Sequence, residues 1–416
     1  MNLKTRIQLS VMMFLLFSVW GAWYGQMSKY LFTQLHATGD QVGNAYLAFS
    51  LAMLVAPFFV GLIADRYFAA QKVLGVLNLA GAAILFFLIQ EKDADAFFWQ
   101  ILAYCITFAP AMSLTTSIAM QHMKNPEKEF PGIRVLGTVA WIVITNIVGF
   151  MGIGDQVAIF QIAMYIALFF GLFSFTLPDT PPKANANASV AQILGVDAFK
   201  LLKDRSFAIF FISSILICIP LSFYYAMANP ALTDAYKAAY PDADPNSFKI
   251  ENIMSLGQAS EFFFMLLIPL AFSRLGVKYM LVVGLIAWIV RFLLFGYGDA
   301  GSGNWMFYIA FILHGVCYDF FFVTGQIYTD NKAGERIKSS AQGLITLATY
   351  GIGMGIGSKL AGIVRDIYTV NDKVDWTSFW LVPAGIAAVV LVLFVLMFND
   401  RKKTVPAEDE LVTGPL

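Results

Sequence analysis

Charge is scarce in this chain. Only 13% of its 416 residues are Asp, Glu, Lys or Arg, and 59% are hydrophobic. Soluble domains carry about a quarter charged residues, because their surface must stay solvated. An ordinary soluble enzyme and a disordered chain are both excluded. Charge of one sign is missing too: 27 basic residues face 27 acidic ones, so no net field suits a polyanion and no nucleic-acid partner is expected. Cysteine and histidine number three each, with no C-x-x-C and no ligand-like spacing. Metal chemistry is excluded on that ground, and Cys105, Cys218 and Cys317, all inside apolar runs, read as packing residues. A long polar segment is lacking as well. The longest interior one, 178–205, is too short for a soluble sensory or catalytic domain, so no enzyme activity is expected.

What the chain has instead is apolar runs of membrane-spanning length, about 20 residues each. Twelve are found, near 8–32, 42–65, 71–90, 97–121, 133–152, 156–177, 206–233, 250–273, 278–297, 303–329, 340–365 and 377–398. The first is too long for a cleaved leader and lacks a small-residue cleavage site, so no removable leader is expected. The fold expected is an all-α integral membrane protein of twelve transmembrane helices in two six-helix halves. These are 1–177 and 206–399, joined by the linker 178–205 and followed by a tail, 400–416. Pro178, Pro181 and Pro182 open the linker, a composition that resists helix. With both termini in the cytoplasm, 18 loop bases fall inside and four outside, as the positive-inside rule requires. In the eleventh run Gly351, Gly353, Gly355 and Gly357 recur at every second residue, a pattern for close helix contact or for a hinge.

An ionisable side chain facing lipid costs about 2.5–3.5 kcal/mol on the mildest scale, so buried charges are the first place to look for function. Glu261 and Asp319 are the acids well inside apolar runs; Arg134 and Arg291 are the clear internal bases. Lys29 and Lys359 are placed to snorkel. Purely structural pairing is the plain alternative for each acid, and partnership with a carboxylate is the role expected of Arg291. Helical spacing groups polar residues by face: Gln258 with Glu261, His314 with Tyr318, Arg134 with Thr138 and Trp141, Ser222 with Tyr225 and Asn229. One such stripe is ordinary helix packing, whereas four together with two acids suggest a hydrated cavity. Its donors, carboxylate and rings suit a flat heterocycle carrying ribose hydroxyls, and a sugar nearly as well.

Certain segments carry a family resemblance. Gly61 to Arg66, with the spacing G-x-x-x-D-R, resembles the loop signature of the major facilitator superfamily, and Ser273-Arg274-Leu-Gly276-Val-Lys278 sits at the equivalent place in the second half. Pro131-Gly-Ile-Arg134-Val-Leu-Gly137-Thr138, Leu194-Gly-Val-Asp197-Ala-Phe199, Ala287-Trp-Ile-Val-Arg291-Phe, Tyr318-Asp319-Phe-Phe and Ser340-Ala-Gln342-Gly343 resemble the nucleoside:proton symporter family within it, nearly end to end.

The resemblance implies a proton-coupled secondary transporter importing nucleosides across the inner membrane by alternating access. Another polar solute, a sugar or a purine-derived metabolite, is the alternative. It implies substrate contacts from Arg134, Thr138, Trp141, Gln258, Glu261 and Tyr318. The stripes add Ser222, Tyr225 and His314, three positions where a bacterial member of the family carries other side chains: amides on helix seven and a tyrosine at His314. Glu261 or Asp319 is expected to take the proton, and Asp65 with Arg66 to latch the cytoplasmic helix ends. No metal or cofactor is expected beyond the proton gradient, and the partners are the nucleoside, protons and the lipid bilayer around a monomer.

Overall fold

The structure, a computed structural model, describes residues 1–59, 67–182 and 196–399. The candidate latch pair, Asp65 and Arg66, lies outside the described residues, as does the tail 400–416. The first half comprises α1 (Leu3–Trp23), α2 (Met27–Gln34), α3 (Gly39–Phe59), α4 (Ala70–Leu88), α5 (Ala94–Gln121), α6 (Pro126–Met151) and α7 (Ala158–Ser174). The second comprises α8 (Arg205–Ala239), α9 (Ile250–Tyr297), α10 (Asn304–Tyr318), α11 (Thr324–Thr346), α12 (Met354–Ile367) and α13 (Trp376–Met397). A 3₁₀ helix, Val196–Lys203, forms the end of the linker. Short acceptor side chains start several helices by taking otherwise unpaired N–H groups. Asn2 accepts from Thr5 at 2.8 Å, Asp93 from Ala96 at 2.8 Å and Asp204 from Phe207 at 2.9 Å. Asp375 does the same for α13, and bonds from the Ser378 side chain and backbone hold its carboxyl below the usual range.

Among the described residues nine helical stretches are long and apolar enough to cross a membrane, so the protein is multi-pass and all-helical. Two long helices double back on themselves at single glycines. Gly276, at φ 67° and ψ 174°, divides α9, and Gly334, at φ 64° and ψ 172°, divides α11. Glu261 and Arg291 stand on opposite sides of Gly276 yet both reach His314. A straight helix would separate them by about 45 Å. Likewise Gln342, beyond Gly334, donates back to the Gln326 carbonyl at 2.8 Å. Two π-helical turns, Asp319–Val323 before α11 and Leu347–Gly353 before α12, each add a residue to a turn.

The halves meet where α3 runs along α12 and α6 along the first limb of α9. Glycine alternation explains the first contact. In a helix, residues two apart point to nearly opposite sides. A Cβ at Gly351 would lie 2.6 Å from Leu54, and one at Gly355 3.2 Å from Ser50, both on α3. A Cβ at Gly353 would lie 2.7 Å from Cys218, and one at Gly357 2.7 Å from Ile219, both on α8. The stripe is therefore two faces, one toward each neighbour.

Polar contacts between the halves gather at the end of the bundle remote from the termini. Asp366 accepts from the Gly39 and Asp40 amides, each at 2.8 Å, and so caps α3 from α12. Lys359 reaches Asp40 at 2.5 Å and Asn44 at 2.9 Å. Lys29 does not snorkel: it is buried, 3.4 Å from Glu251 on α9. Asn146 of α6 donates to Ser255 at 2.9 Å. At the terminus end the contacts of Met1 with Glu129, Gln8 with Thr176, Gln71 with Asp179 and Ser206 with Asn399 each stay within one half. Among the described residues the halves are thus joined at the remote end.

Candidate functional site

Just inside that junction, six rings form a circuit across both halves. Phe49 lies 6.5 Å from Tyr350, whose hydroxyl meets that of Tyr318 at 2.8 Å. Tyr318 lies 5.6 Å from His314, and His314 6.5 Å from Tyr225. Tyr225 lies 5.5 Å from Tyr24, and Tyr24 5.5 Å from Phe49. On the first-half wall Trp20 joins Phe49 at 5.2 Å and Trp141 edge-on at 5.1 Å. Aromatic edges and faces at such spacings make a rigid platform suited to stacking a planar ring.

The helices that carry the platform also carry polar side chains with no partner among the described residues. Among the described residues Arg134, Thr138, Trp141, Tyr225 and Gln258 have side-chain polar atoms without a hydrogen bond or ion pair in the chain. Arg134 is exposed, folds over the Phe17 ring at 4.3 Å, and is within electrostatic reach of Tyr350 in the other half. Gln258 is nine-tenths buried on α9, one turn before Glu261. Ser222 is not brought to the platform. Its hydroxyl donates to the Met354 carbonyl at 2.9 Å, and its side chain is buried between α8 and α12, where it fastens one helix to the other.

The charged groups form a chain. Arg291, fully buried, donates from Nε to the Ala310 carbonyl at 2.9 Å, and its guanidinium lies 3.8 Å over the Tyr224 ring. Its Nη1 meets His314 Nδ1 at 2.7 Å, and His314 Nε2 lies 2.7 Å from Glu261 Oε1. The carboxylate expected as the partner of Arg291 is therefore reached through an imidazole rather than directly. Asp319 stands at the start of the π turn with both carboxylate oxygens buried and without a hydrogen-bond partner. Following Tyr318 directly, it points about 100° around the helix from the face shared by Tyr318 and His314.

The contact at Glu261 depends on how closely α10 approaches α9. At Gly315 an added Cβ would lie 2.6 Å from the Ser260 carbonyl carbon, and the Gly315 amide donates to Ser260 Oγ at 3.0 Å. Sequence reasoning brought forward Trp141, Tyr225, His314 and Tyr318, which are in or beside the circuit. It did not single out Trp20, Tyr24, Phe49 or Tyr350 for the site. With 15% of the chain aromatic, ring identity alone distinguishes no pocket residue from a core one.

Known proteins share both the sequence pattern and this architecture. Residues 1–403 match the family model described as nucleoside H+ symporter. The chain is 36% identical to YegT of Escherichia coli strain K12, over 97% of this chain and 96% of that one. It is 32% identical to the xanthosine permease of the same strain, over 94% and 96% of the two chains. Against the crystal structure of the nucleoside transporter NupG the TM-score is 0.86 at 31% identity, covering 96% of this chain and all of that one.

Proposed function

The chain belongs to the nucleoside H+ symporter family, and from that premise we propose how its cleft carries out proton-coupled nucleoside transport. It is a transporter of the major facilitator kind, not an enzyme, and its energy source is the proton gradient without a cofactor. With Gly276 and Gly334 counted as reversals, and α1 with α2 as one traverse, the helices make twelve crossings. Both termini then lie in the cytoplasm of an inner-membrane protein acting as a monomer, and the closed end faces outward. The cleft is then in the inward-facing state, ready to release.

The observation that carries the reading is the set of unpartnered polar groups around an aromatic platform between the halves. The nucleobase stacks on the platform, with Trp141, Tyr225 and Tyr318 as its walls. Arg134, Thr138 and Gln258 are free to meet base and ribose oxygens, and the Glu261 carboxylate to accept from ribose hydroxyls. Ser222 contributes helix packing rather than contact. Asp319 supplies the coupling. An ionised carboxylate without a partner is costly inside the membrane, and a proton removes that charge. Proton and substrate drive the cycle only if each binds the two states with different affinity.

The test is uridine uptake into vesicles under an imposed pH gradient. Asp319→Asn is expected to abolish gradient-driven accumulation while keeping uridine exchange across the membrane. Undiminished accumulation by both Asp319→Asn and Glu261→Gln would remove the coupling role from these acids.

A further inference from the structure

We propose that His314 is a positioning residue, held in one tautomer by Arg291, that conveys the arginine's charge to the Glu261 carboxylate through a neutral ring. The inference deepens the transport reading above and rests on it for the role of Glu261.

A guanidinium only donates hydrogen bonds, so the 2.7 Å contact of Arg291 Nη1 with His314 Nδ1 requires the Nδ1 lone pair. The single ring proton of the neutral imidazole then sits on Nε2, which approaches Glu261 Oε1 to 2.7 Å as a close polar contact outside hydrogen-bond geometry. A second proton on Nδ1 would set two donors against each other. Arg291 cannot retreat to relieve that clash: it is fully buried, anchored on the Ala310 carbonyl and covered by Tyr224. The ring's orientation is fixed independently, since its Cδ2 edge faces Gly257, where an added Cβ would lie 3.2 Å away. The remaining groups around His314 are Tyr224 and Tyr225 from α8, Trp288 from the second limb of α9, and Cys317 and Tyr318 from α10 itself, with Asp319 one step beyond. None is a base that would displace Arg291 from Nδ1. The arginine's charge therefore offsets Glu261 across a ring that stays neutral, and His314 does not store the transported proton. Asp319 remains as the acid without a counter-charge.

The experiment is ¹⁵N NMR of the full chain labelled at histidine, with the His314 signals assigned as those missing in His314→Gln. A free imidazole protonates near pH ~6.5. Here the expected pattern is one unprotonated Nδ1 and one protonated Nε2, unchanged between about pH 5.5 and 8 around that midpoint. An imidazolium at the acid end, or a proton on Nδ1, would overturn the proposal. In transport, His314→Ala is expected to move the pH of half-maximal gradient-driven uridine uptake by about one unit, a tenfold change in proton affinity. His314→Gln keeps a neutral polar group between Arg291 and Glu261 and is expected to recover most of the shift. An unshifted profile in folded His314→Ala would also overturn it. If His314→Ala does not fold, the NMR of the unaltered chain decides alone. Absence of gradient-driven uptake by the wild type would instead remove the transport reading, while the NMR arm still decides the tautomer.

Discussion

A single hydrogen at Gly315 keeps Glu261 within reach of His314. The Cβ of alanine would fall 2.6 Å from the Ser260 carbonyl carbon and 2.8 Å from the Glu261 amide, both backbone atoms that cannot rotate away. Relief requires α10 to move off α9, which lengthens the 2.7 Å contact of His314 with Glu261. Overpacking of this kind costs about 1–3 kcal/mol. Gly315→Ala is therefore expected to lower the unfolding temperature in detergent and to impair gradient-driven uptake more than uridine exchange. Equal loss of both activities would show that the substitution disturbs the site as a whole and not the Glu261 contact. Residue scale is also where the sequence was most informative about chemistry. Glu261 and Asp319 stood out because a carboxylate in an apolar run has few explanations. Ser222 was open to either reading because a hydroxyl on a helix face has two outlets, a ligand or a neighbouring carbonyl, and spacing does not distinguish them; here it donates to the Met354 carbonyl.

At the scale of elements, hydropathy showed where helices are but not how each is shaped. Among the described residues nine helical stretches are long and apolar enough to cross a membrane, with α3 described to Phe59 and α9 and α11 each carrying two limbs. The turns inside those long helices were hidden because a one-residue reversal leaves almost no polar gap to read. The π turns were hidden too, since one extra residue per turn leaves composition unchanged, and one of them begins at Asp319. Gly276 and Gly334 hold the reversals with near-identical angles, φ 67° and 64° with ψ 174° and 172°, a region essentially reserved for glycine. Nothing lies within 4 Å of a Cβ added at either, so substitution there meets no steric clash with neighbours. The whole penalty is backbone strain, about 1–3 kcal/mol per site. Gly276→Ala and Gly334→Ala are each expected to lower the thermal midpoint, and the double variant to lower it by close to the sum, because the two turns share no partner. A wild-type midpoint in Gly276→Ala would mean that the reversal tolerates another backbone conformation.

For the molecule as a whole, the decisive feature is that the polar contacts between the halves gather at one end among the described residues. Alternating access needs this fastening to be strong enough to close the cleft and weak enough to release. The charged groups that link the halves there include Asp366 on the α3 amides, Lys359 on Asp40 and Asn44, and Lys29 on Glu251, beside the neutral bonds of Asn146 with Ser255 and Asn252. The first differs in kind, since a carboxylate at a helix N-terminus meets both unpaired N–H groups and the positive end of the helix dipole. Such an interaction contributes about 0.3–1 kcal/mol when exposed and up to about 2 kcal/mol when partly buried. Asp366→Asn keeps one acceptor oxygen and the size but loses the charge. A loss of about 1.4 kcal/mol moves a two-state equilibrium about tenfold, enough to populate the state open at this end without unfolding either half. The change can be read as a distance between spin labels at Lys92 and Asn371, exposed residues on opposite halves at the closed end. The native Cys105, Cys218 and Cys317 are buried and resist labelling. The expected result in Asp366→Asn is a second, longer distance whose population grows relative to the wild type, and Asp366→Glu, which keeps the charge, should restore most of the short one. An unchanged distance distribution in Asp366→Asn would assign the closure to Lys359 and Lys29, and leave Asp366 as a helix cap alone.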